Sequence, residues 1–232
     1  MIINGAPGTS SKSLEIVDVM DSTFSCTKDD SFPLVVFGAI GGLIDGLPFL
    51  CGGAGGGDVQ VKVPIDDCYI MDMTGEWSKN ETLKEARFNA GSNSVVINDK
   101  LILSGGDSVN GFLKSIEMVS PYANAIKVDV ELPEGLVGHC QVQWKDTTVM
   151  IIGGHTISPF TVVPDTHFVD VYSNMIDSDG PALNTARFLH SCAELQLGTK
   201  KYIVVTGGSE LKSTEILDKN ALDKGWRSGK SM

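Results

Sequence analysis

Positive charge is scarce in this sequence. The 232 residues contain 18 Lys and Arg against 29 Asp and Glu, which gives a formal net charge of −11. An acidic surface repels phosphate backbones and anionic lipid headgroups. We therefore expect no nucleic-acid partner and no membrane-surface partner, and solubility is explanation enough for the charge.

Long apolar runs and a leader segment are also missing. Residues 33–51 are mostly apolar but contain Asp45, Pro48 and four glycines, whereas a membrane-spanning helix needs ~20 uninterrupted apolar residues. Two strands joined by a turn at Asp45-Gly46 are favoured instead. Residues 1–5 are too short an apolar run for a signal peptide and lack a basic flank. We predict neither a membrane span nor a targeting segment within this chain.

Motifs for catalysis, metals and cofactors are absent as well. The glycine-rich run 52–58 lacks the Lys-Ser/Thr ending of a phosphate loop and is followed by a strand-like segment. There is no Gly-x-Ser-x-Gly elbow and no His-Glu-x-x-His helix. None of the five cysteines forms a Cys-x-x-Cys pair, so a structural zinc site is not expected. The sequence therefore predicts no cofactor, no metal and no intrinsic catalysis.

What the sequence does contain is a glycine doublet that closes a short apolar run four times. The doublets are Gly52-Gly53, Gly105-Gly106, Gly153-Gly154 and Gly207-Gly208, at intervals of 53, 48 and 54 residues. A degenerate copy ends at Gly5, 48 residues before the first. Strands repeated with a period near 50 residues indicate small sheets arranged radially, and we expect the doublets at equivalent ends of second strands.

Residues 85–132 show what one repeat contains. Apolar runs 94–97 and 101–103 flank an Asn98-Asp99-Lys100 turn, and the doublet follows the second run. Residues 115–119 and 125–130 supply a third and a fourth strand. Four antiparallel strands per repeat form a propeller blade. We predict a single all-β propeller domain over residues 1–232, with an incomplete repeat I (1–30) and complete repeats II (31–82), III (83–132), IV (133–183) and V (184–232).

The motifs around the doublets resemble those of the Kelch-repeat family. A Ser-x-Glu triplet recurs at Ser13, Ser115 and Ser213, and an Ala-Arg pair recurs at Ala86-Arg87 and Ala186-Arg187; a repeat tryptophan is present at Trp77 and Trp226. The cysteine and histidine spacing is similar to that of invertebrate Kelch proteins that are taken to be extracellular. The resemblance implies a β-propeller fold and an extracellular location, and it implies no particular chemistry.

The strand count leaves the ring incomplete. Repeat I begins at its second strand, and an open blade edge exposes unpaired backbone groups. Two arrangements are open: the chain is a fragment of a larger propeller, which we favour, or residues 227–232 return to supply the missing strand of a five-blade ring. That tail is short and polar, a poor composition for an innermost strand.

Four of the five cysteines fall where pairs are expected. Cys51 and Cys68 lie on neighbouring strands of repeat II, so a bridge across the glycine loop is predicted. Cys140 and Cys192 come to equivalent first-strand positions if the hairpin of repeat V is two residues longer; two free thiols and a bridge are equally expected there. His139 precedes its cysteine by one residue and His190 by two, so alternation predicts that the histidines point to opposite faces.

We expect function to lie in loops on a rigid scaffold. The preferred hypothesis is a non-enzymatic module that binds another protein, with a glycan as second candidate, through Asp58, His155, Phe160 and Asp165 in the long loops 52–67 and 155–165. Alternatives are a carbohydrate-active or galactose-oxidase-like propeller enzyme and a ubiquitin-ligase substrate receptor.

A possible modification site completes these expectations. Asn80-Glu81-Thr82 is an N-glycosylation acceptor just beyond an outer strand. Together with the paired cysteines it favours an extracellular location, and the cytoplasm is the alternative.

Overall fold

The computed structural model describes residues 2–3, 14–17, 26–29, 32–55 and 63–231; for the first three ranges and for 177–179 it describes the backbone only. The described chain is organised in antiparallel sheets, one for each repeat. No α-helix occurs in these ranges, and a single 3-10 turn spans Leu222–Lys224. The prediction of an all-β propeller with four-stranded antiparallel blades is confirmed.

The strands of each main sheet follow one another in chain order. Sheet I contains β1 (Ile2–Ile3), β2 (Leu14–Val17) and β3 (Cys26–Asp29). Sheet II contains β5 (Ile40–Ile44), β6 (Leu47–Cys51), β9 (Asp67–Met71) and β10 (Trp77–Thr82). Sheet III contains β11 (Val96–Ile97), β12 (Lys100–Ser104), β15 (Ile116–Ser120) and β16 (Ala123–Lys127). Sheet IV contains β17 (Cys140–Gln143), β18 (Thr148–Ile152), β21 (Thr166–Asp170) and β22 (Met175–Asp179). Sheet V contains β23 (His190–Leu197), β24 (Lys200–Gly207), β25 (Thr214–Asp218) and β26 (Arg227–Ser228). The exact repeat boundaries stay a prediction.

Short additional strands form small sheets beside the glycine doublets; the first lies in the linker before sheet II, and the others lie in the loops that follow the doublets. They are β4 (Val36–Phe37), β7 (Ala54–Gly55) and β8 (Val63–Pro64) in repeat II, β13 (Asp107–Ser108) and β14 (Gly111–Phe112) in repeat III, and β19 (His155–Ile157) and β20 (Phe160–Val162) in repeat IV. Strands two and three of each blade meet at this end, and so do the linkers between blades. We call this end of the molecule the hairpin face.

Neighbouring sheets from II to V enclose hydrophobic cores between them. Between sheets III and IV the fully buried side chains include Ile102, Ile116, Val149, Ile151 and Val169. Similar cores lie between sheets II and III and between sheets IV and V. The central strands β12 and β18 are therefore buried on both faces, which explains why their sequences are continuously apolar.

A buried ion pair stabilises the centre of sheet III. The guanidinium of Arg87 donates to the carbonyl oxygens of Gly105 (2.8 Å) and Ser115 (3.0 Å). It also contacts Glu117 Oε1 at 2.6 Å, and both side chains are fully buried. The Glu117 carboxylate in turn accepts hydrogen bonds from the linker N–H groups of Lys84 and Glu85. The Ala-Arg and Ser-x-Glu motifs are thus two halves of one structural unit.

Sheet V repeats this unit, and sheets II and IV do without it. In sheet V, Arg187 contacts Gly207, Ser213 and Glu215 in the same way. The strand register places Tyr69 and His167 where sheets III and V have glutamate. The buried Arg–Glu pair therefore occurs in sheets III and V and alternates with sheets II and IV, which have no glutamate at this position.

Both cysteine pairs form disulfides. Cys51 and Cys68 face each other on β6 and β9 with Cα atoms 4.1 Å apart. Cys140 and Cys192 join the first strands of sheets IV and V, with Cα atoms 6.0 Å apart. All four side chains are buried. The predicted bridge is confirmed, and the pair for which free thiols were equally expected is bridged too.

The structure corrects the register that was assumed for sheets IV and V. Cys140 pairs with Ile152, the residue before the doublet, whereas His190 pairs with Gly207 in the doublet itself. His139, one residue before Cys140, is thus the equivalent of His190, and the cysteines are not equivalent to each other. The prediction that the two histidines point to opposite faces is wrong, because it was counted from the cysteines.

The structure also contradicts the alternative in which residues 227–232 supply the missing strand of a five-blade ring. Arg227–Ser228 pairs with β25 as the outermost strand of sheet V, so these residues do not complete sheet I. The fourth strand of sheet III runs over Ala123–Lys127 rather than 125–130. Val128 lies just beyond this strand; its N–H still donates to the carbonyl of Ile116 (2.8 Å), and its side chain enters the core between sheets III and IV.

Candidate functional site

The hairpin β19–β20 forms the most prominent feature of the hairpin face. It rises directly from the doublet Gly153-Gly154, and the N–H of Val163 donates to the carbonyl of Gly154 at its base (3.0 Å). The turn contains a cis Ser158–Pro159 peptide bond. Sequence reasoning took this segment for an irregular loop, because its few apolar residues are too short a signal for two strands.

Aromatic rings gather around His155 at the base of this hairpin. The His155 ring lies 5.2 Å from Phe112, 5.0 Å from Phe160 and 4.8 Å from Phe188, measured between centroids. Phe112 comes from the hairpin of repeat III and Phe188 from the linker into repeat V. The site therefore joins three repeats, and we call these four residues the aromatic cluster.

The cluster is exposed at its top. Phe160 is 62% exposed although two rings support it from below, at 5.0 Å and 5.9 Å. Ile157 and Val109, on this hairpin and its neighbour, are also exposed apolar residues of this face. A large aromatic side chain that is held rigidly yet remains in solvent is typical of a binding hot spot.

His155 is a neutral packing residue in this arrangement. Its side chain is half-buried, and burial lowers the pKa of its imidazole below the usual range; its hydrogen bond to the Val137 backbone and the charge of Asp107 oppose the shift. Its Nδ1 atom is buried and has no hydrogen-bond partner in the described part of the chain. We conclude that His155 contributes shape and ring contacts to the cluster rather than proton transfer.

The other two predicted loop residues do not join the cluster. Asp165 is exposed, and its backbone carbonyl accepts a hydrogen bond from the N–H of Gly153 (2.9 Å). Asp58 lies outside the described residues. The part of these residues in partner binding stays a prediction.

A second candidate region is a cavity of about 550 Å³ at the inner ends of the blades. Its wall includes Gly38, Asn89, Gly138 and Leu189, all of which have positive φ. The cavity is lined mainly by backbone and apolar atoms, and none of the described residues that line it has an ionisable side chain. The cavity therefore has room for a ligand but few side chains that could take part in a reaction.

A serine–histidine contact lies deep between sheets III and IV. Ser104 Oγ is 2.9 Å from His139 Nε2, and it donates to Gln141 Oε1 at 2.7 Å. The Gln141 amide is oriented by its own donation to the carbonyl of Ile102 (2.8 Å). Because the hydroxyl proton is used on Gln141, His139 Nε2–H must be the donor to Ser104. In a serine activated for catalysis the hydroxyl donates its proton to a basic imidazole, whereas here the imidazole donates to the hydroxyl.

Burial keeps His139 neutral. Desolvation, with a smaller contribution from the neighbouring histidines, lowers the pKa of His139 to about 3. Its equivalent His190 has a pKa lowered to about 4, again mainly by burial. Ser104 and His139 are both fully buried, so no substrate reaches them. Within the described residues, no group of three or more His, Cys, Asp or Glu side chains is placed to hold a metal ion.

Asn80 lies on the outer edge strand β10, where its side chain is exposed. The pairing of β10 with β9 shifts between Lys79 and Glu81, so Asn80 is the bulged residue of the edge. Its glycosylation stays a prediction. Among the described residues, no helix is long and apolar enough to cross a membrane.

Comparisons with known proteins agree with this architecture. No family model matches the chain. Kelch-like protein 36 from Mus musculus and from Rattus norvegicus is 28% identical to it, and the Bos taurus protein is 29% identical, over 76% of this chain. The chain spans only 28% of the length of these relatives. The solved structure of YjhT superposes with a TM-score of 0.79 at 14% identity, covering 98% of this chain and 80% of the other. Repeat motifs, blade topology and these likenesses together support a Kelch-type β-propeller fold.

Proposed function

We propose that this chain is a protein-binding propeller and that the hairpin face, centred on the aromatic cluster, is its binding surface. The observation that carries the proposal is the exposed Phe160 ring supported by His155 and Phe188. Neighbouring hairpins add Ile157 and Val109, so an incoming protein meets several apolar anchors on a rigid base. Buried aromatic anchors account for most of the affinity in many interfaces.

The proposal makes the propeller non-enzymatic. The buried serine–histidine contact is inaccessible, and the serine hydroxyl proton is directed away from the histidine. The likeness to Kelch-like protein 36 supports an interaction role for the propeller. Since the chain spans only a small part of those relatives, their activities as whole proteins are not transferred.

We further propose an extracellular location. Two buried disulfides are stable in an oxidising compartment, and disulfides are rare in reducing cytosol. The exposed acceptor Asn80 is consistent with passage through the secretory route. Non-reducing peptide mapping of secreted protein would test both features together.

The binding proposal is tested with Phe160→Ala, using Tyr122→Ala as matched control. Tyr122 is 61% exposed, an aromatic residue as accessible as Phe160, but it lies in a turn between strands three and four, at the opposite end of the blade. Partners captured by the immobilised chain would be identified and then purified for affinity measurement. We expect Phe160→Ala to weaken binding at least about tenfold, a hot-spot effect. Equal binding by both variants would contradict the proposal.

A further inference from the structure

The cavity at the inner ends of the blades has the size and the walls of a small-molecule site. Its volume is about 550 Å³, and small-molecule sites usually measure about 300–1,000 Å³. Charged residues make up 20% of the chain, yet none of the described residues that line the cavity has an ionisable side chain. A ligand charge buried there would find no partner, which is costly. The cavity therefore favours a neutral ligand.

Four linker residues at equivalent positions line this cavity. They are Gly38 (φ 64°), Asn89 (53°), Gly138 (65°) and Leu189 (53°). Each follows a linker residue that pairs with the residue directly after a glycine doublet. The N–H of Asn89 donates to the carbonyl of Gly38, and that of Leu189 to the carbonyl of Gly138, both at 2.7 Å. The path of the linker therefore requires positive φ at this position in all four repeats.

Leucine is an unusual residue for this conformation. Its Cβ atom makes positive φ unfavourable, whereas glycine adopts it freely and asparagine adopts it more readily than most residues. The Leu189 side chain is 59% exposed, so burial offers little compensation. Residues held in unfavourable backbone conformations concentrate at functional sites. We infer that Leu189 serves contact with a ligand rather than stability.

Leu189 is part of an apolar wall of the cavity. Leu43 on β5 also lines the cavity, and it is likewise 59% exposed. The buried side chains of Val36, Ile40 and Leu50 complete this wall. An apolar ligand body that covers both exposed leucines removes their surface from water, which is favourable.

Two polar side chains of the wall are oriented by hydrogen bonds to the backbone. Ser92 Oγ donates its proton to the carbonyl of His190 at 2.6 Å. Asn93 Nδ2 donates to the carbonyl of Gln141 at 3.1 Å. These bonds leave the Ser92 lone pairs and Asn93 Oδ1 as acceptors, to which a ligand hydroxyl group can donate. The cavity thus combines apolar surface with oriented acceptors.

We propose that this cavity binds a neutral small molecule that has an apolar body and at least one hydroxyl group. The body packs against Leu43 and Leu189, and the hydroxyl donates to Ser92 or Asn93. None of the four residues of the aromatic cluster lines the cavity, so this proposal does not depend on the proposed protein partner.

Equilibrium dialysis with naphthalene probes tests the ligand chemistry. 2-Naphthol, which is neutral at pH 7, should bind with one-to-one stoichiometry. 2-Methoxynaphthalene lacks the hydroxyl proton and should bind about three- to tenfold more weakly, the effect of one hydrogen bond. The anion 2-naphthoate and the cation 2-naphthylmethylammonium should both bind at least about tenfold more weakly than 2-naphthol. Using both signs of charge separates the cost of burying a charge from repulsion by the acidic chain.

Two variants at Leu189 separate ligand contact from stability. Leu189→Ala and Leu189→Gly should both weaken 2-naphthol binding at least about fivefold, because both remove the apolar side chain. Only Leu189→Gly relieves the unfavourable φ, so its unfolding temperature should exceed that of Leu189→Ala by about 2–4 °C. Leu197→Ala is the matched control: it removes a leucine of similar exposure (68%) from the β23–β24 hairpin and should leave 2-naphthol binding unchanged.

Three results would overturn the proposal. The first is that 2-naphthol binds no more tightly than the two charged probes. The second is that Leu189→Ala binds 2-naphthol as tightly as the unchanged chain does. The third is that Phe160→Ala abolishes the binding, which would place the probe on the aromatic cluster. A Leu189→Gly variant that is no more stable than Leu189→Ala would also count against it, because the leucine would then carry no strain.

Discussion

Removing Glu117 should destabilise the propeller strongly, although the side chain has no contact with solvent. Glu117 is the acceptor for the Arg87 guanidinium and for two linker N–H groups. Burial lowers the pKa of Arg87, and Glu117 is the main group that opposes this shift. An arginine nevertheless stays charged in proteins. Glu117→Ala therefore leaves a buried, unpaired cation, which typically costs about 3–5 kcal/mol of unfolding free energy.

The neighbouring sheet IV suggests a second substitution that would restore part of the stability lost in Glu117→Ala. Sheet IV has His167 at the glutamate position, and Leu136 takes the place of the arginine in the linker hydrogen bond. Removing both charges together avoids the buried cation, and such replacements are often close to neutral. We expect the double variant Arg87→Leu/Glu117→His to be more stable than Glu117→Ala, with a coupling energy of about 2–3 kcal/mol.

Urea unfolding followed by tryptophan fluorescence, with disulfides intact, measures these differences. Glu131→Ala is the matched control, since its carboxylate is half-exposed and contacts Lys127 at 3.5 Å. An exposed pair of this kind contributes less than about 1 kcal/mol. The reasoning fails if Glu117→Ala loses no more than this control, or if the double variant loses the sum of its two single variants.

Three further predictions concern the core. Because burial depresses the pKa of His190 to about 4 and that of His139 to about 3, protons bind the unfolded chain first as pH falls below about 6.5. Each histidine should lower the unfolding free energy by about 3 kcal/mol between pH 6.5 and 4, and His190→Asn should therefore reduce the pH dependence in this range by about half. Replacing Cys140 and Cys192 by Ala opens a 52-residue loop and should cost about 4 kcal/mol in urea unfolding; an unchanged midpoint would refute the bond's role. Gly106→Ala should cost at least about 1 kcal/mol more than Gly111→Ala, since both have φ above +100° but only Gly106 has a carbonyl oxygen 3.0 Å from the added Cβ; equal losses would assign the cost to φ alone.

The blade architecture was predictable because it repeats in the sequence. A doublet needs positive φ at both glycines and a neighbouring linker too close for a side chain; at Gly52, a Cβ would lie 2.6 Å from the carbonyl of Arg87. Because this constraint acts in four blades, the Gly-Gly doublet occurs four times in the sequence. The Cys51–Cys68 bridge was predicted from its place on neighbouring strands, whereas the Cys140–Cys192 bridge was left open and the register assumed for it was wrong.

The candidate site was predictable only in part. His155 and Phe160 were selected because they lie in a long loop, and the structure brings them together. Phe112 and Phe188 were missed, since they come from two other repeats and only the meeting of the hairpins makes them neighbours. No local pattern marks such a contact, because loop residues are not restricted by strand alternation.

The alternation of ion-paired and uncharged blades bears on the proposed binding surface. In sheet V the Arg187–Glu215 pair ties the linker to strands two and three, and Phe188 of the aromatic cluster is the residue that follows this arginine. The pair therefore fixes one wall of the binding surface through covalent geometry.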